Sequence, residues 1–188
     1  MKKNIFIIMI VVTVFCLISF FSNAVDNEQK QKKEGSIIKN IKLDEIEALF
    51  LSHKQGIIII NLWATWCSPC VAELPSFGNI YKRYPEEQVH LYLLNIEGKE
   101  AEEKKLKPFL KKNPLPCPVY LLEDGTPTDL EKVLKTEISG ALPTTLIYNS
   151  NGKLIKKFEN PITEEEIEKV LKEYKIKPNV ESQGEKSG

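Results

Sequence analysis

The sequence lacks a surplus of charge of either sign, and it contains few histidines. Its 188 residues include 26 basic residues, 26 acidic residues and two histidines. Removal of residues 1–24, which contain Lys2, Lys3 and no acidic residue, would leave 24 basic against 26 acidic residues and a net charge of −2. A chain with both signs interspersed offers nucleic acid no basic surface. We therefore expect no nucleic-acid partner, and the length fits a single domain with short tails.

Cysteine is also scarce, which excludes several kinds of site. Three cysteines follow the N-terminal segment, at positions 67, 70 and 117, and this odd number argues against a scaffold stapled by disulfides. A structural zinc site needs about four ligands, usually from two cysteine pairs, and this sequence has one pair. Covalent haem attachment needs a histidine directly after the second cysteine, where this chain has Val71. We expect no metal and no haem, and we expect Cys117 to be a buried, inert thiol.

The N-terminus has the pattern of an export signal. Two lysines precede an apolar run from Ile5 to Phe21, and Ser22 and Ala24 are the small residues expected before a cleavage site. The apolar run is close to the shortest length that spans a membrane, so a retained anchor is the alternative to a cleaved peptide. Residues 1–24 are therefore predicted to be a signal peptide or an N-terminal signal-anchor. Either form places the domain in the periplasm or at the outer face of the cytoplasmic membrane.

Signals for strands and helices alternate over residues 36–177, between a polar linker at 25–35 and a polar tail at 178–188 that we expect to be disordered. Strands are expected at 36–41, 57–63, 89–96 and 117–122, followed by a hairpin over 144–158 with an Asn-Gly turn. Helices are expected at 44–54, from the cysteines to residue 84, at 100–112, at 128–135 and from residue 163. Capping boxes are expected at Asp44 with Glu47 and at Thr163 with Glu166, and Tyr174 is expected on the apolar face of the last helix. This order is typical of an α/β fold with a central mixed sheet flanked by helices.

The stretch WATWCSPC places two cysteines where a buried strand ends and a helix begins. The unpaired N–H groups and partial positive charge of a helix N-terminus stabilise a thiolate, and in Cys-X-X-Cys motifs the thiol pKa can fall to about 3.5–7.5. Cys67 would be the exposed nucleophile, and Cys70, one turn further and deeper, would resolve a mixed disulfide. Pro69 suits the first turn of a helix. The motif favours a redox pair, with a purely structural disulfide as the alternative.

Two segments, NLWATWCSPCVAELP and ISGALPTTLIYNSNGKLI, resemble hallmark segments of the thioredoxin superfamily, specifically of exported TlpA/ResA-like thiol–disulfide oxidoreductases. The likeness runs from about Ile37 to Tyr174. It implies a thioredoxin-like fold with a short central insertion over 98–135. It also implies that the protein is an enzyme, a protein-disulfide reductase. It also implies no cofactor beyond the dithiol of Cys67 and Cys70, and we expect a monomer.

The resemblance also assigns residues around the pair. Glu73 matches a glutamate of the ResA-like branch that could manage the proton of the buried thiol, with a solvated glutamate as the alternative. Asn61 takes the position where cytoplasmic thioredoxins carry a buried aspartate. Pro143 matches the family's cis-proline, with a trans proline at the start of a strand as the alternative. The residues expected to line the substrate groove are Trp63, Trp66, Ser68, Pro69, Leu142 and Pro143.

By this resemblance, electrons would come from a membrane thiol–disulfide donor and pass to disulfides of exported proteins. Apocytochrome c, in cytochrome c maturation, is the family's best-known substrate. A disulfide oxidase or isomerase of the same fold is the first alternative, although such proteins commonly carry a histidine between the cysteines and a large helical insertion. A non-catalytic thioredoxin-like binding module is the second. The sequence does not fix the direction of electron flow, because reduction potentials on this fold range from about −270 to about −120 mV.

Overall fold

The computed structural model describes residues 36–179. The predicted signal segment at 1–24, the linker at 25–35 and residues 180–188 of the predicted tail lie outside the described residues. Within the described range the strands are β1 (Ile38–Ile41), β2 (Ile57–Trp63), β3 (Val89–Asn95), β4 (Val119–Leu122), β5 (Thr144–Asn149) and β6 (Leu154–Phe158). The helices there are α1 (Leu43–Ser52), α2 (Ser68–Arg83), α3 (Lys107–Lys112), α4 (Pro127–Leu134) and α5 (Glu164–Glu173).

The strands form one mixed sheet in the order β1-β4-β3-β2-β5-β6. Strands β1, β4, β3 and β2 run parallel to their neighbours, whereas β5 is antiparallel to β2 and β6 is antiparallel to β5. This confirms the α/β class with a central mixed sheet flanked by helices. All seven residues of β2 are buried, as expected for a central strand that is covered on both faces.

Side chains of β2 alternate between two layers of the core. We call the first the active-site layer, because it contains both cysteines of the motif; it joins Ile57, Ile59 and Trp63 to buried residues of α2, α3 and α5. We call the second the far layer; it joins Ile58, Ile60 and Leu62 to buried residues of α1 and α4. The two motif cysteines therefore belong to one of the two layers of the core.

Two details of the helices differ from expectation. Helix α1 begins one residue earlier than expected, with Lys42 as its N-cap, and the Glu45 carboxylate accepts from Lys42 N at 2.8 Å. The expected capping box of Asp44 and Glu47 is wrong because a capping box joins the N-cap to the third helical residue, which is Glu45. Tyr174 follows the last residue of α5 and is exposed, so its expected place on the apolar face is also wrong.

Other local signals are confirmed. Thr163 and Glu166 form the capping box of α5, with Glu166 N donating to Thr163 Oγ1 and Thr163 N donating to Glu166 Oε2. The hairpin of β5 and β6 turns through Asn151 and Gly152, and Gly152 has a positive φ of 70°.

The charged helix expected at 100–112 is present in two parts. A π-helical segment, Glu102–Leu106, continues into α3. No helix within residues 36–179 is long and apolar enough to cross a membrane.

Candidate active site

The two motif cysteines lie where β2 passes into α2 and are joined in a disulfide with a Cα–Cα distance of 5.3 Å. Cys67 is the N-cap of α2, and its Sγ accepts from Cys70 N at 3.3 Å. Pro69 is the second helical residue, where a missing N–H costs no helical hydrogen bond. The strand end, the cap and the proline are thus local features of the chain that place the disulfide at the start of α2.

Exposure differs sharply along this segment. Cys67 is 5% exposed and Cys70 is fully buried, whereas Trp66 is 67% exposed. Ser68 and Pro69 are exposed as well. Cys67 is thus less accessible than the exposed nucleophile that the motif predicts, but it keeps a small accessible area next to the exposed Trp66, whereas Cys70 has none. This is the order of access that an attacking and a resolving cysteine require.

Trp63 does not lie in a groove, and its expected place there is wrong. Its side chain is fully buried in the active-site layer, with its ring centroid 5.6 Å from that of Phe109. The physical reason is the alternation of β2, which directs Trp63 to the same layer as Ile57 and Ile59. Trp63 therefore packs in the core beneath the disulfide, and its side chain is not at the surface.

The proline loop lies beside the end of β2. The Leu142–Pro143 peptide bond is cis, as the resemblance implied. Pro143 is buried and directly precedes Thr144, which pairs with Leu62 near the end of β2. Leu142 is half-buried, contacts both core layers, and lines an apolar cavity of about 190 Å³ with Leu62 and Ile96.

Glu73 is buried on α2, one turn after Cys70, and the alternative of a solvated glutamate is wrong. Its Oε1 accepts from Asn61 Nδ2 and its Oε2 accepts from Ile162 N, both at 2.8 Å. Burial raises the pKa of this carboxyl from 4.5 to about 7, although both hydrogen bonds act to lower it. Glu73 can therefore gain or lose a proton near neutral pH.

Asn61 connects Glu73 to the sheet. Its Nδ2 also donates to Thr145 Oγ1 at 3.0 Å, and its buried Oδ1 makes no hydrogen bond within the described residues. A neutral amide at this position can donate to Glu73 without adding a second buried charge. The proton-handling role of Glu73 remains a prediction.

Glu97 is a residue of the site that sequence reasoning missed. It lies two residues after the end of β3, and its Oε2 accepts from Thr65 N at 2.6 Å in the turn that leads to Cys67. A second bond joins the same segments, because Ile96 N donates to Trp63 O at 3.1 Å. The sequence did contain an indication of this role. Glu97 is an acidic residue shortly after a buried strand, β3, and the parallel neighbour of that strand, β2, leads into the segment with the two cysteines.

Cys117, the third cysteine within the described residues, and the two histidines lie apart from the disulfide. Cys117 is a buried free thiol, as expected, and burial raises its pKa to about 12. His53 and His90 stack with ring centroids 3.5 Å apart, at the end of the sheet where β2 and β3 begin. Within residues 36–179 no group of three or more His, Cys, Asp or Glu side chains is placed to hold a metal ion.

Comparison with known proteins gives consistent similarities. A sequence model of the AhpC/TSA family matches residues 26–157. Sporulation thiol-disulfide oxidoreductase A of Bacillus subtilis (strain 168) is 28% identical over 157 residues, covering 84% of this chain and 91% of that protein. ResA, a thiol-disulfide oxidoreductase of the same strain, is 31% identical over 160 residues, covering 82% of this chain and 84% of that protein. The crystal structure of the pneumococcal exposed lipoprotein thioredoxin Etrx1 from Streptococcus pneumoniae strain TIGR4 has a TM-score of 0.53 and 27% identity, covering 66% of this chain and 89% of that chain. These similarities confirm the thioredoxin-like fold and the resemblance to ResA-like proteins.

Proposed function

The chain belongs to the AhpC/TSA family and is a thioredoxin-like thiol–disulfide oxidoreductase, and from this premise we propose that it reduces disulfide bonds of exported proteins outside the cytoplasm. The observation that carries the proposal is the Cys67–Cys70 pair at the N-terminus of α2, in which Cys67 keeps a small accessible area and Cys70 has none. A purely structural disulfide needs neither the exposed Trp66 nor the difference in access between the two sulfurs.

The reaction proceeds by two exchange steps. The Cys67 thiolate attacks one sulfur of the substrate disulfide, which breaks that bond, forms a mixed disulfide and releases the other substrate sulfur as a thiolate that takes up a proton. Cys70 then loses its proton and attacks Cys67 Sγ, which releases the second substrate sulfur. The substrate gains two electrons and two protons, and the protein is left with the Cys67–Cys70 disulfide.

Glu73 is the group that receives the proton of Cys70 in the second step. It follows Cys70 by three residues on the same helix, so the two side chains lie on one face. A carboxyl with a pKa of about 7 is partly ionised at neutral pH and can accept a proton from a buried thiol. Its hydrogen bonds to Asn61 and Ile162 hold it in place whether or not it carries the proton.

The N-terminal pattern supports export, and the likeness to an exposed lipoprotein thioredoxin agrees with it. A membrane thiol–disulfide donor would return two electrons to the Cys67–Cys70 disulfide after each turnover. Disulfides of exported proteins would be the substrates, with the haem-binding cysteines of apocytochrome c as one case. We propose that the protein works as a monomer, because the mechanism needs one disulfide and one exposed face.

The test is a redox titration of the purified protein. The protein is equilibrated in thiol buffers, and the pair is followed by Trp66 fluorescence and by thiol alkylation, with Cys67→Ser as the control. A reduction potential near or below about −250 mV supports a reductant. A value near −120 mV would instead make the protein an oxidant of exported proteins, and the absence of a reversible Cys67–Cys70 couple would refute catalysis.

A further inference from the structure

Glu97 ties the turn before Cys67 to the sheet through a buried carboxylate. Its side chain is 3% exposed, and the bond from Thr65 N to Oε2 is short, at 2.6 Å. Asn95 Nδ2 donates to the same oxygen at 3.3 Å, and Glu97 N donates back to Asn95 Oδ1. The carboxylate is therefore fixed from both sides, and it holds the backbone two residues before Cys67.

The carboxylate of Glu97 is charged at neutral pH. Burial alone would raise its pKa, but hydrogen bonds from Thr65 and Asn95, together with the nearby ammonium group of Lys105, outweigh burial and hold the pKa below its ordinary value. Lys105 Nζ lies 3.3 Å from Oε1, and this lysine belongs to the π-helical segment Glu102–Leu106. Because Lys105 is 57% exposed, water screens its charge and leaves the buried carboxylate only partly neutralised.

This anion lies close to the sulfur that changes charge in the reaction. Thr65 and Cys67 belong to one tight turn, closed by the bond from Cys67 N to Ala64 O at 3.1 Å. Two residues span at most about 7 Å, so the carboxylate and Cys67 Sγ are separated by a distance on the order of 10 Å. The disulfide is neutral at Cys67, whereas the reduced pair presents a thiolate there, which a neighbouring negative charge disfavours.

We propose that Glu97 is a positioning residue that fixes the active-site turn and, through its negative charge, makes the reduced Cys67–Cys70 pair a stronger electron donor. Reduction of the disulfide adds two electrons and one proton, breaks the S–S bond, and leaves a thiolate at Cys67 and a thiol at Cys70. The dithiol of the membrane donor supplies those electrons, and the substrate disulfide takes them away. The proposal rests on the proposed function and deepens it. A protein donates electrons more readily when its own dithiol state is less stable relative to its disulfide.

Two substitutions with opposite signs test the role of charge. Glu97→Gln keeps an oxygen acceptor for Thr65 N and removes the charge, whereas Lys105→Gln removes the cation that partly neutralises it. Like charges at this separation, at an effective dielectric constant of about 20, shift an equilibrium about tenfold. We expect Glu97→Gln to raise the equilibrium constant for reduction by dithiothreitol about tenfold, which is about 30 mV for a two-electron couple. Lys105→Gln should lower it by a smaller factor.

The measurement uses the full-length chain in detergent micelles at pH 7, equilibrated with oxidised and reduced dithiothreitol and followed by alkylation of the free thiols. Glu173→Gln, an exposed carboxylate at the end of α5, is the control and should leave the constant unchanged. An unchanged constant for Glu97→Gln, or shifts of the same sign for Glu97→Gln and Lys105→Gln, would overturn the proposal. The absolute potential of the wild type tests the reductant function separately, since these shifts are relative to it.

Discussion

The buried carboxyl of Glu73 makes the stability of the protein depend on pH in a definite direction. Its pKa is about 7 in the folded protein, against an ordinary value of 4.5. Between these values the folded state holds a proton that the unfolded chain has released, so the free energy of unfolding falls as the pH rises. At about 1.36 kcal/mol per pKa unit, the contribution is about 3 kcal/mol; it is fully present below about pH 4.5 and lost above about pH 8.

Glu73→Gln removes this titration and preserves the shape of the side chain. The new amide oxygen can accept from Ile162 N, and the new NH₂ group can donate to Asn61 Oδ1 after Asn61 flips its amide. The flip replaces the bond that Asn61 Nδ2 now donates to Glu73 Oε1, and the Thr145 hydroxyl, which now accepts from Nδ2, can donate to Oδ1 instead, so the number of bonds made by the two side chains is preserved. We expect the variant to match the wild type near pH 5 and to be more stable by about 2.5 kcal/mol at pH 8, because part of the contribution is already lost at pH 5.

The assay is urea unfolding of the oxidised protein at pH values from 5 to 8, followed by far-ultraviolet circular dichroism. Burial and the nearby His90 lower the pKa of His53 below its ordinary value. That shift makes the free energy of unfolding rise with pH. It does so equally in the wild type and in Glu73→Gln, so it cancels when one free energy is subtracted from the other. Glu173→Gln, at an exposed position, should follow the wild type throughout. A difference between Glu73→Gln and wild type that stays constant from pH 5 to 8 would refute the reasoning.

Three further predictions concern the site and its support. Cys70→Ser should trap a substrate on Cys67 as a mixed disulfide that persists on a non-reducing gel, and a failure to trap any adduct would contradict the assigned order of attack. Asn61→Asp places a second carboxylate against Glu73, so the free energy of unfolding in urea should fall between pH 5 and pH 8 by about 1–3 kcal/mol more than in the wild type; parallel profiles would contradict it. Phe77→Ala empties a fully buried site on α2 and should cost about 3–5 kcal/mol in the same assay, whereas a cost below about 1 kcal/mol would show that the helix is not packed as described.

Much of the site could be predicted because its signals are local in the chain. The strand before Cys67, the helix after it and the proline at its second position all lie within one stretch of sequence. The cis bond at Pro143 came from family resemblance, and no physical signal in the neighbouring residues would have indicated it. Likewise, the cap of α5 was predictable because Thr163 and Glu166 are three residues apart.

The predictions that were wrong or incomplete have physical causes. They depend on contacts between residues far apart in the chain, or on which face of a strand a side chain occupies. The burial of Trp63 follows from the alternation of β2, since it shares its layer with Ile57 and Ile59; family resemblance alone suggested the surface. The environment of Glu73 depends on Ile162, which lies 89 residues away. Glu97 was missed because its partner, Thr65, is 32 residues distant, and no periodic pattern relates the two positions.

The division of the core by β2 has a consequence for how this chain can change over evolutionary time. Exchanges of similar volume in the far layer, at Ile58 or Ile60 for example, alter the free energy of unfolding and leave the disulfide and Glu73 untouched. The same exchange at Ile59 disturbs the layer that contains Cys70. We therefore expect homologues to diverge faster beneath α1 and α4 than beneath α2. Leu142 contacts both layers, so exchanges in the far layer that displace Leu142 are the exception, because they can move the residue that precedes the cis-proline.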